Sequence, residues 1–434
     1  MAAGAIGPLF ASPSIVAEAA GVDAEDGSLV LRSTDPLGAY PTTVMHSVRA
    51  WAGADPDHPL VVERGTDSAW RSCSYGAAVA AAEAIGQAML DRGLGPARPL
   101  LVLSGNSVDH LLMTLGAMTA GVPIAPVSVA YSLQSRDHAR IRAIAELVCP
   151  GSVFAEDAGR FAAALDALGR VPTIVSTGSR PGAERLDQLM TTAPGRAVNA
   201  AFDDMSRDAV AKILFTSGST GTPKGVLNTH RMLSADQQMM RQAWPFLARE
   251  RPVIVDWLPW SHTFGGNHNM NMMLTSGGTL YVDAGRPAPG MFAQTIANLT
   301  EVAPTMYFNV PAGYAQLVPA LEADPAFAER FFSRLRLMFN QTELVELRVV
   351  TRGGRGRMTE ACGMRNVAGT RPPSSSGASG CGWRPPGGSP AATRLARSPA
   401  TCGSRKVRCG GGTRPGGTAG RRRCGPKGRC RGSG

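Results

Sequence analysis

Two stretches of this chain gather residues suited to chemistry on anions. The first is LFTSGSTGTPKG, at 214–225. Its glycines allow backbone to approach a ligand closely. Consecutive amides in such a loop form an anion-binding nest. The hydroxyls of Ser217, Ser219, Thr220 and Thr222 add donors, and Lys224 adds a mobile positive charge. The set Thr216, Ser217, Gly218, Ser219, Thr220, Gly221, Thr222, Pro223, Lys224 and Gly225 is therefore a candidate phosphate site, with a flexible surface loop as the plainer alternative. The second stretch, DWLPWSHTFGG at 256–266, places His262 between Trp260 and Phe264, ahead of the pair Gly265 and Gly266. By residue type alone, His262 reads as a polar residue near a strand end and the two rings as core aromatics.

The first stretch is close in spacing to the pattern GxxxxGK[ST] but differs from it. Pro223 stands before the lysine where that pattern has Gly, and Gly225 follows it with no hydroxyl for magnesium. The loop is thus a different phosphate cradle from that of P-loop nucleotidases.

Such loops need rigid elements to aim them. The stretch opens directly off an apolar strand, VAKILF, and helix and strand patterns alternate from residue 59 to 178. That alternation predicts a layered α/β fold with a parallel sheet. Ser74 and Gly93 bracket one predicted helix, and SVDHLLMTLGAMTAG predicts another. Later segments predict a helix over 231–247, strands PVIVDWLPW, GTLYVD and TMYFNVP, and helices over 291–302 and 312–322. The expected organisation is a loose lead-in at 1–40, a first α/β subdomain at 41–180, a second at 181–339 carrying the loop, and a tail at 340–434.

The chain has 434 residues and a formal net charge of +11, which alone would suggest an acidic partner. Residues 351–434, however, hold 18 of the 44 Lys and Arg and only one acid, Glu360, so the preceding 350 residues are net acidic. The same tail holds 21 of the 51 glycines and six of the eight cysteines, with one Leu and no Ile, Phe or Tyr. It is expected to be disordered, since it lacks the apolar surface to offset ordering entropy. Its Gly, Arg, Pro and Cys bias is what a GC-rich frame yields when read out of register. A nucleic-acid contact is unlike this protein except through that tail. Its cysteines show no paired C-x₂-C spacing, so no metal site is expected. Two cysteines in the remainder, Cys73 and Cys149, fit a reduced, cytoplasmic setting. The first 21 residues make a poor signal peptide, and no apolar run reaches membrane-spanning length.

The loop at 216–225 resembles the phosphate-binding signature of the adenylate-forming enzymes: acyl-CoA synthetases, luciferases and peptide-synthetase adenylation domains. DWLPWSHTFGGNHNMNMML resembles that family's next signature, and GNSVDHLLMTLGAMTAGVPIAPVSVAYSL its N-terminal region. The last two look most like feruloyl-CoA synthases and related hydroxycinnamate ligases. The resemblance covers about 35–339. It implies the layered αβα sheets of that family's large N-terminal domain, incomplete here, and ATP, Mg²⁺ and coenzyme A as substrates or cofactors. It also implies an aromatic carboxylic acid as partner. Carried onto this chain, residues 216–225 would grip the β- and γ-phosphates. Lys224 and His262 would be catalytic, with His262 near the acid's carboxylate. Trp260, Phe264, Gly265, Gly266, Tyr307 and Asn309 would line the acid pocket. Beyond Phe339 the family's adenine wall, its aromatic-Gly-x-Thr-Glu motif, its ribose aspartate and its catalytic C-terminal lysine are not found. The expectation is a chain of little or no activity. Other fatty- or aryl-acid ligases, or a non-catalytic nucleotide-binding remnant, are the alternatives.

Overall fold

Two β-sheets with helices packed between and around them make up the fold, in a computed structural model that describes residues 19–23, 29–217, 223–340, 350–351 and 354–355. All of these lie in one compact unit, Met1–Asn366. Expectations for residues 218–222, and for nearly all of 341–434, fall outside the described residues.

The larger sheet has seven strands, in the spatial order Pro223–Thr229, Val210–Ser217, Ile124–Pro126, Leu100–Leu103, Ser152–Asp157, Thr173–Thr177 and Ala183–Arg185. All neighbours are parallel except the first pair, which forms an antiparallel hairpin. The central strand Leu100–Leu103 is buried throughout, as expected for a strand covered on both faces. The second sheet runs Val253–Asp256, Thr279–Val282, Pro59–Arg64 and Trp70–Ser74, with only the last pair antiparallel. A parallel pair, Met306–Asn309 with Leu337–Asn340, sits beside its Val253 edge, where the Thr305 amide donates to the Val253 carbonyl at 2.9 Å. The layered α/β architecture read from the alternating pattern is the one observed.

Helix signals in the sequence act as capping theory requires. Ser74 accepts the Ala77 amide to start Tyr75–Asp91, and Ser107 accepts the His110 amide to start Val108–Ala120. Gly121, at φ 68°, closes the latter in the left-handed conformation that glycine tolerates best. These two helices pack between the sheets, and Ile85, Met113, Leu115 and Met118 are fully buried there.

Several expectations needed revision. The strand predicted over PVIVDWLPW stops at Asp256, whose carboxylate accepts the Leu258 amide and turns the chain. The phosphate stretch is not only a loop: Pro223–Thr229 returns as a strand, although its residues 224–227 are exposed and give no apolar alternation. The lead-in at 1–40 holds an antiparallel pair, Ala19–Asp23 with Leu29–Ser33. The sheets also ignore a division at residue 180. Val210–Ser217 lies beside Ile124–Pro126 in one sheet, and Thr279–Val282 beside Pro59–Arg64 in the other.

Candidate nucleotide and acid site

The hairpin that carries the phosphate stretch pairs Ser217 with Pro223, Thr216 with Lys224 and Phe215 with Gly225. Gly218, Ser219, Thr220, Gly221 and Thr222, at its tip, lie outside the described residues. Thr216, Lys224 and Gly225 are exposed, and Pro223 is buried. The strands therefore deliver a cation and a hydroxyl to solvent at the open end of the sheet, one on each side of the tip.

His262 sits on a different element. The chain leaves the strand Val253–Asp256, makes a tight turn through Trp260, and enters a short π-helix, Phe264–Asn269, followed by the α-helix Met270–Ser276. Asn106 fixes the turn from both sides: its Nδ2 donates to the Leu258 carbonyl at 2.9 Å, and its Oδ1 accepts the Trp260 amide at 3.0 Å. His262 is exposed, and its carbonyl accepts the Gly266 amide at 2.8 Å. The imidazole is thus presented to solvent at the start of the helical segment.

Gly265 and Gly266 have a different local task from that expected. A Cβ on Gly265 would lie 2.2 Å from the Leu258 carbonyl oxygen, and one on Gly266 would lie 2.3 Å from that of Trp260. The space their missing side chains leave is filled by the preceding turn, so they let His262 be held close to it rather than opening a slot beside the backbone for a ring. Trp260 is likewise a core residue, 2% exposed, with its ring edge-on to His110 at 5.3 Å.

Phe264 lies in a cluster of rings. Its centroid is 5.5 Å from His268, 6.2 Å from Phe308 and 6.0 Å from Phe339. Trp244 closes the group, 5.9 Å from His268. Phe308 enters this cluster, whereas Tyr307 and Asn309 do not. They occupy the other face of the same strand, as side-chain alternation requires. Tyr307 packs on Tyr314 and Phe331, and Asn309 donates to the Tyr307 hydroxyl at 2.7 Å and accepts from the Trp257 indole at 3.2 Å. The sequence places the strand correctly but not which parity faces the rings.

Behind the rings runs a polar chain that the sequence did not reveal. Asn269 Nδ2 donates to Asp256 Oδ2 at 3.1 Å, and Asn269 Oδ1 is 2.8 Å from His268 Nδ1. With the Asn269 oxygen facing it, His268 carries its proton on Nδ1, leaving Nε2 as an acceptor. Burial lowers the His268 pKa, so this imidazole is neutral near pH 7. Burial also raises Asp256 to about 7, with Asp283 nearby adding to the effect.

A second set of polar contacts joins the His262 segment to the phosphate hairpin. Lys212 Nζ, on the strand entering the hairpin, donates to the Gly266 carbonyl at 3.0 Å. Asn267 Nδ2 donates to Asn228 Oδ1, on the strand leaving it, at 3.0 Å. Gln237 holds the next carbonyl, that of Asn267, at 3.0 Å. Lys212 is 1% exposed and has no ion pair among the described residues; burial pulls its amine down to about 7. A lysine inside an apolar strand pattern, KILF, was the available signal. Among the described residues no group of three or more His, Cys, Asp or Glu side chains could hold a metal ion, and no step below runs through one. No described helix is long and apolar enough to cross a membrane.

Comparison with known proteins gives this geometry a family. The chain is 28% identical over 236 residues to a 3-[(3aS,4S,7aS)-7a-methyl-1,5-dioxo-octahydro-1H-inden-4-yl]propanoyl:CoA ligase from Mycobacterium tuberculosis, covering 52% of this chain and 43% of that one. It is 24% identical over 255 residues to a 3-hydroxybenzoate/4-hydroxybenzoate–CoA ligase from Thauera aromatica, covering 57% and 46%. The chain thus spans less than half of these relatives' length, and far smaller shares of some larger synthetases it matches. Among solved structures, a putative long-chain-fatty-acid CoA ligase from Rhodopseudomonas palustris superposes with a TM-score of 0.57 at 19% identity, over 69% of this chain and 70% of that one. That likeness supports the fold. The family described as AMP-binding enzyme matches residues 48–384, running past Phe339 into the basic tail. A match that spans both sheets, the phosphate hairpin and the His262 turn is decisive: this chain belongs to the AMP-binding enzyme family.

Proposed function

We propose that this protein is built on the plan of an ATP-dependent acid–CoA ligase that takes an aryl acid, with a hydroxycinnamate such as ferulate as the favoured substrate. In the first step a carboxylate oxygen attacks the α-phosphorus of ATP and the bond to pyrophosphate breaks. In the second the thiol sulfur of coenzyme A attacks the acyl carbon, its proton is lost, and AMP leaves. Both steps gather negative charge, which fixed donors and cations must meet. Lys224, Thr216 and the amides at the hairpin tip are assigned to the β- and γ-phosphates. His262 is assigned to the junction of carboxylate and α-phosphate.

The observation that carries this proposal is the docking of the His262 segment onto the phosphate hairpin through Lys212 and Asn228. It ties the segment that carries His262 to the strands that carry the phosphate stretch, which supports assigning the two to successive parts of one adenylation site. The ring cluster of Phe264, His268, Phe308, Phe339 and Trp244 supports an aromatic acid, as does the hydroxybenzoate ligase among the relatives. In this reading His268 Nε2 is assigned as an acceptor for a phenolic hydroxyl, and Phe308, rather than Tyr307 and Asn309, is assigned to the acid's side of the strand. A cytoplasmic setting is part of the proposal, supported by the free thiols Cys73 and Cys149. Turnover by this chain is slow, because the family's late ATP-contacting motifs are not recognisable after Phe339.

Acid-dependent pyrophosphate release tests the proposal, with ferulate, cinnamate, 4-hydroxybenzoate and a fatty acid compared in the presence of ATP and Mg²⁺. Slow release that is highest with ferulate supports it. A preference for the fatty acid removes the aryl assignment. ATP binding without any acid-dependent release leaves a nucleotide-binding remnant, and rapid turnover refutes the low-activity assignment.

A further inference from the structure

We propose that Lys212 and Asn228 form a two-point latch that makes the position of His262 depend on the phosphate hairpin, and that they are positioning residues for adenylation. The inference rests on the ligase assignment above. Lys212 and Asn228 are direct partners across the hairpin, one on each strand. Each reaches out of the sheet to one of two consecutive residues of the π-helix, Gly266 and Asn267. Those residues lie one turn beyond His262 and Thr263. The Gly266 amide donates to the His262 carbonyl, and Asn267 Nδ2 also donates to Thr263 Oγ1 at 3.3 Å. A shift of the rung therefore passes through one helical turn to His262.

The choice of side chain argues for a role beyond packing. An amine buried without a carboxylate partner is costly, and an apolar residue of like length would fit a core strand at least as well. Among the described residues, the hydrogen-bond partner of the Lys212 amine is a main-chain carbonyl of the His262 segment, which gives that cost a purpose. Asn228 is tied on its own strand as well, its Nδ2 donating to the Val226 carbonyl at 3.0 Å, so its Oδ1 faces Asn267 in a fixed pose. Gly266 can serve as the contact because, with no side chain, its backbone packs directly on the Trp260 carbonyl, so the turn and the π-helix segment can move together.

The test is amide hydrogen exchange on the full chain, with and without ATP, in the wild type and in the double variant Lys212→Met, Asn228→Leu. In the wild type, ATP is expected to slow exchange in the hairpin, 210–229, and also in 262–267. In the double variant the hairpin should still respond and 262–267 should not. Thermal unfolding serves as the control for folding: the variant loses a costly buried amine but leaves the Gly266 carbonyl and the Asn267 side-chain amide without those partners, so it is expected to keep a cooperative transition with at most a modest fall in melting temperature. A response at 262–267 that survives the double substitution overturns the latch. So does a wild-type hairpin that responds while 262–267 stays silent. A hairpin that ignores ATP altogether overturns the ligase assignment and the latch together. Where pyrophosphate release is measurable, the latch also requires kcat to fall with little change in KM for ATP.

Discussion

At the scale of single residues, Lys224 and Asp256 have opposite settings, one exposed and one buried, and so call for different tests. Lys224 is exposed and free to follow a phosphate. Lys224→Ala should weaken ATP binding by roughly 10- to 100-fold, the worth of one charge-assisted contact, with the melting temperature unchanged. Calorimetric titration checks this, and an unaltered affinity would remove Lys224 from the site. Asp256 offers a test by pH. Its carboxyl titrates near 3.8 when unfolded and is held up to about 7 in the fold by burial. Between those values the unfolded chain has lost a proton that the folded chain keeps. Stability from this group is therefore full below about pH 4 and declines as pH rises to about 7. Asp256→Asn should flatten that decline, a difference of at most a few kcal/mol, visible in denaturant melts at pH 5 and pH 7.5. Equal slopes in both proteins would show that Asp256 is not the group responsible.

The elements show what a sequence can and cannot disclose. Capped helices such as Tyr75–Asp91 and Val108–Ala120 were legible because Ser74, Ser107 and Gly121 act through local geometry. The π-helix Phe264–Asn269 was not, since its apolar spacing follows neither the helical nor the strand period. The Pro223–Thr229 strand was missed because it opens with Pro, Lys and Gly and its two apolar residues, Val226 and Leu227, are adjacent and do not alternate. Around the candidate site, the strand of Tyr307 and Phe308 was legible in the sequence, but not that Phe308 rather than Tyr307 would meet Phe264. Strand parity fixes which residues share a face, while only the packed fold decides which face is which. The polar scaffold of Asn106, Asn228, Asp256 and Asn269 joins distant segments and had no local signature, whereas Lys212 stood out as a lysine in an apolar strand pattern. The π-helix gives its own prediction. Gly266→Ala sets a methyl against the Trp260 carbonyl, in a backbone contact that cannot rotate away. It should cost roughly 1–3 kcal/mol, measured by urea unfolding. A fully stable variant would mean that the turn can relax.

For the whole molecule, the hairpin strand Pro223–Thr229 is an edge of the seven-stranded sheet, and it carries apolar residues outward. Val226 is 45% exposed and Leu227 56%, with Leu147 at 56% on the helix beside it. An edge with exposed apolar side chains favours association between chains. Leu227→Lys should reduce concentration-dependent self-association, read by sedimentation or light scattering, without altering the melting temperature. Unchanged association would move the sticky surface elsewhere.

The interleaved sheets also impose a timetable on the chain as it is made. Thr279 Oγ1 donates to the Pro59 carbonyl across 220 residues of sequence, and the strands that begin at these two residues lie side by side. At about 5–20 residues per second, the ribosome needs on the order of 10–40 s to supply the later strand after the earlier one has emerged. During that interval Pro59–Arg64 has no inner neighbour, so the nascent protein depends on chaperone cover, or on its hairpin with Trp70–Ser74, to survive its own synthesis.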